Sequence, residues 1–246
     1  MRIDVPTEFA TCVRRLDGVV LDDVLQNPAF FNADYWFPAE RVVGELKCLS
    51  ENLAAQHQFN DLVESMYASW IKRRLIPRPV SFPVQVNLRD LPLRCAREFI
   101  DPVKKRLESS AMKKANKQIR DTKKHLNAAD AKGLLILVND GNYLLPPTMM
   151  VHLLARTLKQ QYRSIDSVIY FSVNESSSVP GNPMPSLFWI DAIPPGRTAI
   201  SSDLRERLRA TWMAHHSSLV PGPIFEIECK ADPDFVDNIQ FTAGAA

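Results

Sequence analysis

In the run FFNADYWFPAERVVGELKCL, residues 30–49, the carboxylates of Asp34 and Glu45 and the ammonium of Lys47 are spaced to converge on one metal ion. Phe30 to Phe37 and Arg41 to Leu49 are rich in aromatic and β-branched residues, so each predicts a strand. Pro38-Ala39-Glu40 between them leaves room only for a tight reversal. A hairpin folded about Pro38 and Ala39 sets Asp34 almost opposite Glu45, and opposed residues on antiparallel strands have Cβ atoms about 4.5–5.5 Å apart. Two carboxylates that close repel unless a cation sits between them. Glu45 and Lys47 are two residues apart and project from one face of their strand. The chemistry implied is a hard-cation site with an ammonium beside it; the carbonyl of Leu46 is a further oxygen ligand of the kind such cations prefer.

Acid-x-Lys alone is weak. The chain holds four: Glu45-Leu46-Lys47, Asp121-Thr122-Lys123, Asp130-Ala131-Lys132 and Glu228-Cys229-Lys230. Asp121 and Asp130 lie in polar, Lys-rich sequence that reads as a solvated charged face. Glu228 stands in the strand-like PIFEIEC, with no acid on a preceding hairpin partner and only Asp191 to approach from a distant strand. The carboxylate facing Glu45 across the hairpin is what sets Asp34, Glu45 and Lys47 apart.

This constellation resembles the PD-(D/E)XK nuclease superfamily, whose pattern is an acid, then acid-x-Lys on the next strand, then a helix often carrying glutamine. The matching residues are Asp34, Glu45-Leu46-Lys47 and, in KKANKQIRDTKKHL, Gln118. Ala33 stands where the superfamily's name has proline. The resemblance implies a restriction-endonuclease-like α/β fold, a mixed sheet flanked by helices. It also implies Mg²⁺ held by Asp34 and Glu45, with Mn²⁺ able to substitute. Lys47 would position water or stabilise charge on phosphate, and Gln118 would fix Lys47 or a phosphate oxygen. The activity implied is metal-dependent hydrolysis of phosphodiester bonds, in DNA rather than RNA. A homodimer pairing two sites is one assembly open to such an enzyme. The alternative is a nuclease-like module that binds nucleic acid or protein without cutting.

From Lys104 to Lys124 the chain carries nine basic residues against Glu108 and Asp121, whereas Asp17 to Asp34 has acids and no Lys or Arg. A basic helix neutralises phosphates and gives salt-sensitive, sequence-independent affinity. Lys113, Lys114, Lys117, Arg120, Lys123 and Lys124 are the residues expected to meet a nucleic-acid backbone.

The elements that must position these groups follow an α/β pattern. Glu8 to Leu25 opens as a helix, the hairpin follows, and Glu51 to Leu75 has near-helical apolar spacing without Gly or Pro. Pro77, Pro79, Pro83 and Pro92 punctuate an extended stretch. Arg94 to Leu126 returns to helix, interrupted or started at Pro102. Gly133 to Asn139 (GLLILVN) is a continuous apolar run, as expected of a strand covered on both faces. Pro147 to Tyr162 reads as a helix and Ser167 to Val173 as a second buried strand, an alternation that favours parallel pairing. Asn139-Asp140-Gly141-Asn142 reads as turn chemistry rather than a ligand site. Residues 174–186 read as a surface loop, Ser186 to Ile193 and Ile224 to Cys229 as strands, and Ser202 to His216 as a helix. One domain over 1–246, with a helical insertion at about 50–103, is the expected organisation.

The 246 residues, 46% hydrophobic and 24% charged, bury a sizeable core at ordinary globular composition. No apolar run approaches the roughly 20 residues of a membrane span. Cys12, Cys48, Cys95 and Cys229 form no CxxC, and the early acids are unlike a secretory signal, so a reduced cytoplasm is expected. His57, His125, His152, His215 and His216 form no metal-ligand pattern and read as solvated or helix-capping. No Gly-rich phosphate loop or nucleophile elbow supports a metal-independent enzyme.

Overall fold

The apolar run after Gly133 becomes β4 (Lys132–Asp140), whose residues 133 to 139 are all buried. A computed structural model of the chain describes residues 2–25, 31–50, 56–78, 91–142, 147–158, 162–174, 177–179, 182–220 and 240–241. Preceding β4 are α1 (Val5–Arg15), β1 (Val19–Val20), α2 (Leu21–Val24), β2 (Tyr35–Phe37), β3 (Val42–Cys48), α3 (His57–Lys72), α4 (Leu93–Leu107) and α5 (Lys113–His125). Following it are α6 (Pro147–Thr157), β5 (Ser167–Val173), β6 (Ser177–Val179), β7 (Asn182–Ser186), β8 (Trp189–Ala192), α7 (Ser202–Leu219) and β9 (Gln240–Phe241).

The chain is an α/β protein. Its larger sheet has six strands in the order β1-β2-β3-β4-β5-β8. The pairs β1–β2, β2–β3 and β5–β8 are antiparallel, and β3–β4 and β4–β5 are parallel, so the sheet is mixed. Successive side chains of a strand point to opposite faces, and the two cores divide on that parity. Leu135, Leu137, Val168 and Tyr170 join the side covered by α4, α5 and α6, with Val103, Ile119 and Leu153. Leu134, Ile136, Ile169 and Phe171 join the side covered by α1 and α7, with Phe9, Leu208 and Trp212. There Phe171 stacks on Trp189 at 5.0 Å between centroids and meets Trp212 at 5.0 Å.

The helix expected to start or be interrupted at Pro102 does neither. Helix does not break near 103: α4 passes through a π-helical turn, Glu108–Met112, directly into α5. Pro102 lies in the interior of α4. Its ring removes a backbone donor. A π turn accommodates an extra residue without ending the helix, and here it presents Ala111 and Met112 to the core. The helix α3 packs on α4 through Glu98, which accepts from the Trp70 indole at 2.7 Å and pairs with Arg73 at 2.7 Å.

Two further expectations are corrected, and the bounds of the first helix are set. Residues 174–186 contain a hairpin, β6–β7, which β9 extends into a second, three-stranded sheet. Ser, Pro and Asn in that stretch give no alternating apolar pattern, so the strands have no sequence signal. Helix α1 ends at Arg15, after which Val19 and Val20 pair with β2. His215 and His216 are buried, not solvated: they sit at the end of α7, where His215 Nε2 lies 2.6 Å from Glu8 of α1. The strand expected at Ile224 to Cys229 and most of the proline-rich stretch lie outside the described residues. No helix among the described residues is long and apolar enough to cross a membrane.

Gly133 is the tightest backbone approach behind the site. A Cβ there would stand 1.8 Å from the Ser164 carbonyl oxygen, and the Gly133 N–H donates to Asp166 at 2.7 Å. Backbone cannot yield as a side chain tip can, so Gly133→Ala should destabilise the fold by at least about 3 kcal/mol. Urea unfolding checks this; a variant within 1 kcal/mol of wild type (about a fivefold change in the equilibrium) would show that the 164–166 segment is not seated on β4.

Candidate active site

The hairpin register brings the two acids together. Tyr35 pairs with Gly44, Trp36 with Val43 and Phe37 with Val42; one step beyond β2, Asp34 stands opposite Glu45. The ladder ends there because the Asp34 side chain replaces the next backbone acceptor. Its Oδ2 accepts the Leu46 N–H at 2.7 Å, while its carbonyl oxygen accepts from Leu21 N–H at 2.8 Å. The Leu49 N–H donates to Val138 of β4, so odd-numbered residues of this stretch turn their backbone groups toward β4. Even-numbered ones turn toward β2, because the N–H and C=O of a strand residue share a side. The Leu46 carbonyl therefore faces the same side as the Asp34 carboxylate, beyond the end of β2.

Val43, Glu45 and Lys47 share the face of β3 that α5 covers. Glu45 has 0% exposure, its Oε1 pairs with the Lys47 ammonium, and its buried Oε2 has no N–H or O–H donor, leaving the neighbouring Asp34 carboxyl, with which Glu45 shares a hydrogen bond when one of the two is protonated. Burial first, and then the charge of Asp34, push the Glu45 carboxyl up to about 8, with Lys47 opposing. Burial also raises Asp34, against the Leu46 N–H and the Lys47 ammonium. A buried carboxylate oxygen without a donor is costly, and two neighbouring carboxyls that disfavour each other's ionisation are relieved by a cation. Cys48, next along β3, does not compete as a ligand or nucleophile: burial pushes its thiol up to about 12.

Helix α5 holds the Asp34 segment from behind. Gln118 Nε2 donates to the Asn32 carbonyl at 2.9 Å, and Thr122 Oγ1 accepts the Ala33 N–H at 2.7 Å. Gln118 thus lies beside the acid-bearing segment and holds its backbone rather than Lys47. Thr122, four residues beyond Gln118 and so on the same face of α5, carried no role in the sequence; the structure gives it one. It missed Asp22, whose charge acts on Asp34 and whose Oδ1 accepts from Asn32 Nδ2 at 2.8 Å. The acid-only run from Asp17 to Asp34 was the signal for it. Glu8 is engaged with His215 and takes no part here.

The basic residues divide. Lys113, Lys114, Lys117, Arg120 and Lys124 are exposed. Arg120 pairs with Asp121 at 3.0 Å. Lys123 turns inward to Asp166 at 3.4 Å and the Ser164 carbonyl at 3.3 Å, so it buttresses the loop above Gly133 rather than a ligand surface. Of the competing motifs, Asp130 pairs with Arg41 on the surface and Asp191 pairs with Arg205; Glu228 and Lys230 lie outside the described residues.

Among the described residues no cluster of three or more His, Cys, Asp and Glu side chains is arranged to hold a metal. The donor set here is two carboxylates and a carbonyl. It suits Mg²⁺, which keeps several waters and is bound through one or two carboxylates plus substrate phosphate. The orphaned Glu45 oxygen fits the same ion. The chain matches no protein-family model, no curated protein and no solved structure.

The raised Glu45 carboxyl makes stability depend on pH. A group at 4.5 unfolded and about 8 folded holds its proton more tightly in the native state. Its contribution is full below about 4.5 and lost as pH rises through about 8. Without metal, Tm should therefore fall between pH 5 and pH 8 (the interval spanned by those two values). Glu45→Gln, which stays neutral, should flatten that fall. Mg²⁺ must displace the proton, so its stabilising effect should be larger at the alkaline end and absent in Glu45→Gln. Thermal unfolding across pH tests both; an unchanged slope in the variant would remove Glu45 as the titrating group.

Proposed function

We propose that the chain is a metal-dependent nuclease acting on phosphodiester bonds, with DNA favoured over RNA as substrate. The observation that carries this reading is the pairing of a fully buried Glu45 carboxyl with a half-buried Asp34 carboxyl, with no N–H or O–H donor on one Glu45 oxygen and Lys47 on the other. It is supported by the order of elements, antiparallel acid-bearing strands, then a helix, then a parallel strand, which accords with the PD-(D/E)XK resemblance.

In this reading Asp34, Glu45 and the Leu46 carbonyl hold Mg²⁺, for which Mn²⁺ substitutes. When bound, such an ion supplies Lewis acidity toward a phosphate oxygen and makes water a stronger nucleophile at neutral pH. Asp34 and Glu45 bring the negative charge that selects a hard divalent cation, and the surrounding apolar core keeps bulk water from screening it. Lys47 compensates Glu45 before substrate arrives and offsets negative charge growing on the phosphate as the bond breaks. Gln118 and Thr122 fix the backbone on which Asp34 rides, which keeps the two carboxyls in register. The exposed lysines of α5 draw a polyanion to the same face of the sheet.

Cleavage of DNA and RNA in Mg²⁺, Mn²⁺ or EDTA tests the reading. Wild type should cut only with metal. Glu45→Ala and Lys47→Ala, confirmed as folded, should lose at least about 100-fold in rate, and Gln118→Ala should lose less because it acts through Asn32. Cutting in EDTA, or equal cutting by the variants, contradicts the assignment. Metal-independent, salt-sensitive binding without cutting would instead select the silent binding module.

A further inference from the structure

Phe31 is the most exposed large apolar side chain among the described residues, at 73%. It stands three residues before Asp34, within about 11 Å of chain. Its ring carries the Lys117 ammonium at 5.7 Å from the centroid. The backbone beside it is held, not free. Asn32 is tied to Gln118 and Ala33 to Thr122, so the ring is presented on a fixed rim of the acid pair.

Lys117 belongs to a stripe. Lys113, Lys117, Arg120 and Lys124 recur at spacings of four, three and four residues and so share one face of α5. That face extends for about 17 Å at 1.5 Å per residue. All four are exposed, and only Arg120 has a carboxylate partner among the described residues. A row of cations leading to an exposed, cation-capped aromatic ring is the arrangement that binds a polyanion whose bases are unstacked. The lysines track phosphates and the ring takes the face of a base. A duplex offers a phenyl ring no such surface, because its bases stack on one another and show only their edges in the grooves.

We propose that Phe31 is a base-stacking platform, and that the strand entering the Asp34–Glu45 site along α5 is single-stranded nucleic acid. This rests on nucleic acid as the ligand of the proposed nuclease site and adds its strandedness and a recognition residue. Phe31 touches no reacting group in this account; it holds a nucleotide near the scissile phosphate.

The test is binding of the full chain to labelled single-stranded DNA, single-stranded RNA and duplex DNA of one sequence, in EDTA, so that turnover plays no part. Phe31→Ala should weaken single-strand binding roughly 5- to 100-fold, the range of one lost base–aromatic stack, and leave duplex binding within about twofold. Phe31→Trp should restore affinity, and its indole fluorescence should be quenched by the single strand. Because the ring is exposed, both variants should unfold with wild-type Tm. Preference between the DNA and RNA arms identifies the sugar while supporting the stack. Equal single-strand binding by wild type and Phe31→Ala overturns the proposal, as does an equal loss on duplex. If wild type cuts with Mg²⁺ while Phe31→Ala binds single strands normally, the stacking proposal fails and the nuclease reading stands. If Phe31→Ala loses single-strand binding in a protein that never cuts, the nuclease reading fails and the platform stands.

Discussion

Two carboxyl groups forced together, Glu45 fully buried and Asp34 half-buried, are the constraint on which the rest of this structure turns. Asp34 and Glu45 face each other across the open end of a hairpin, and burial raises both carboxyls from their ordinary values, Glu45 to about 8. The fold offsets this with few groups: the Leu46 N–H on Asp34 and the Lys47 ammonium on Glu45. One Glu45 oxygen has no N–H or O–H donor, and the two carboxyls have only each other with which to share a proton. A protein gains nothing in stability from such a site, since apolar side chains of similar shape would serve the core better. Its persistence makes sense as a place prepared for a positive charge.

The architecture explains how the pair is held. β2 is only three residues long, so its ladder stops one residue short of Asp34 and leaves the Leu46 N–H to a side chain. β3 is pinned on its other side by a seven-pair parallel ladder with β4. Helix α5 crosses the same face and fixes the chain just before Asp34 through Gln118 and Thr122. Each acid is therefore set by a different element, one by the end of an antiparallel pair and the other by the middle of a buried strand. Displacement of either strand by one residue would turn its acid to the opposite face.

Much of this was legible in the sequence because the signals are local. Aromatic strand runs on either side of Pro38-Ala39-Glu40 give the hairpin, although its turn centres on Ala39-Glu40, one residue later than expected, and GLLILVN and SVIYFSV announce strands covered on both faces. What was not legible depends on distant partners. Lys123 reads as one more surface lysine until Asp166, 43 residues away, is brought beside it. His215 is buried by an α1–α7 contact that pairs it with Glu8 across 207 residues. The β6–β7 hairpin hides in Ser, Pro and Asn because its ladder is closed partly by β9, near the far end of the chain. Gln118 was placed beside the site by pattern, but its partner, a backbone carbonyl, has no sequence signature.

The measurement that bears most directly on the account is anomalous scattering from crystals of the protein soaked in Mn²⁺. The account predicts an anomalous peak bounded by the carboxylates of Asp34 and Glu45 and the carbonyl of Leu46, absent from crystals of Glu45→Gln. A fully occupied Mn²⁺ elsewhere on the protein, with Glu45 still closed on Lys47 and no peak between the acids, would contradict it.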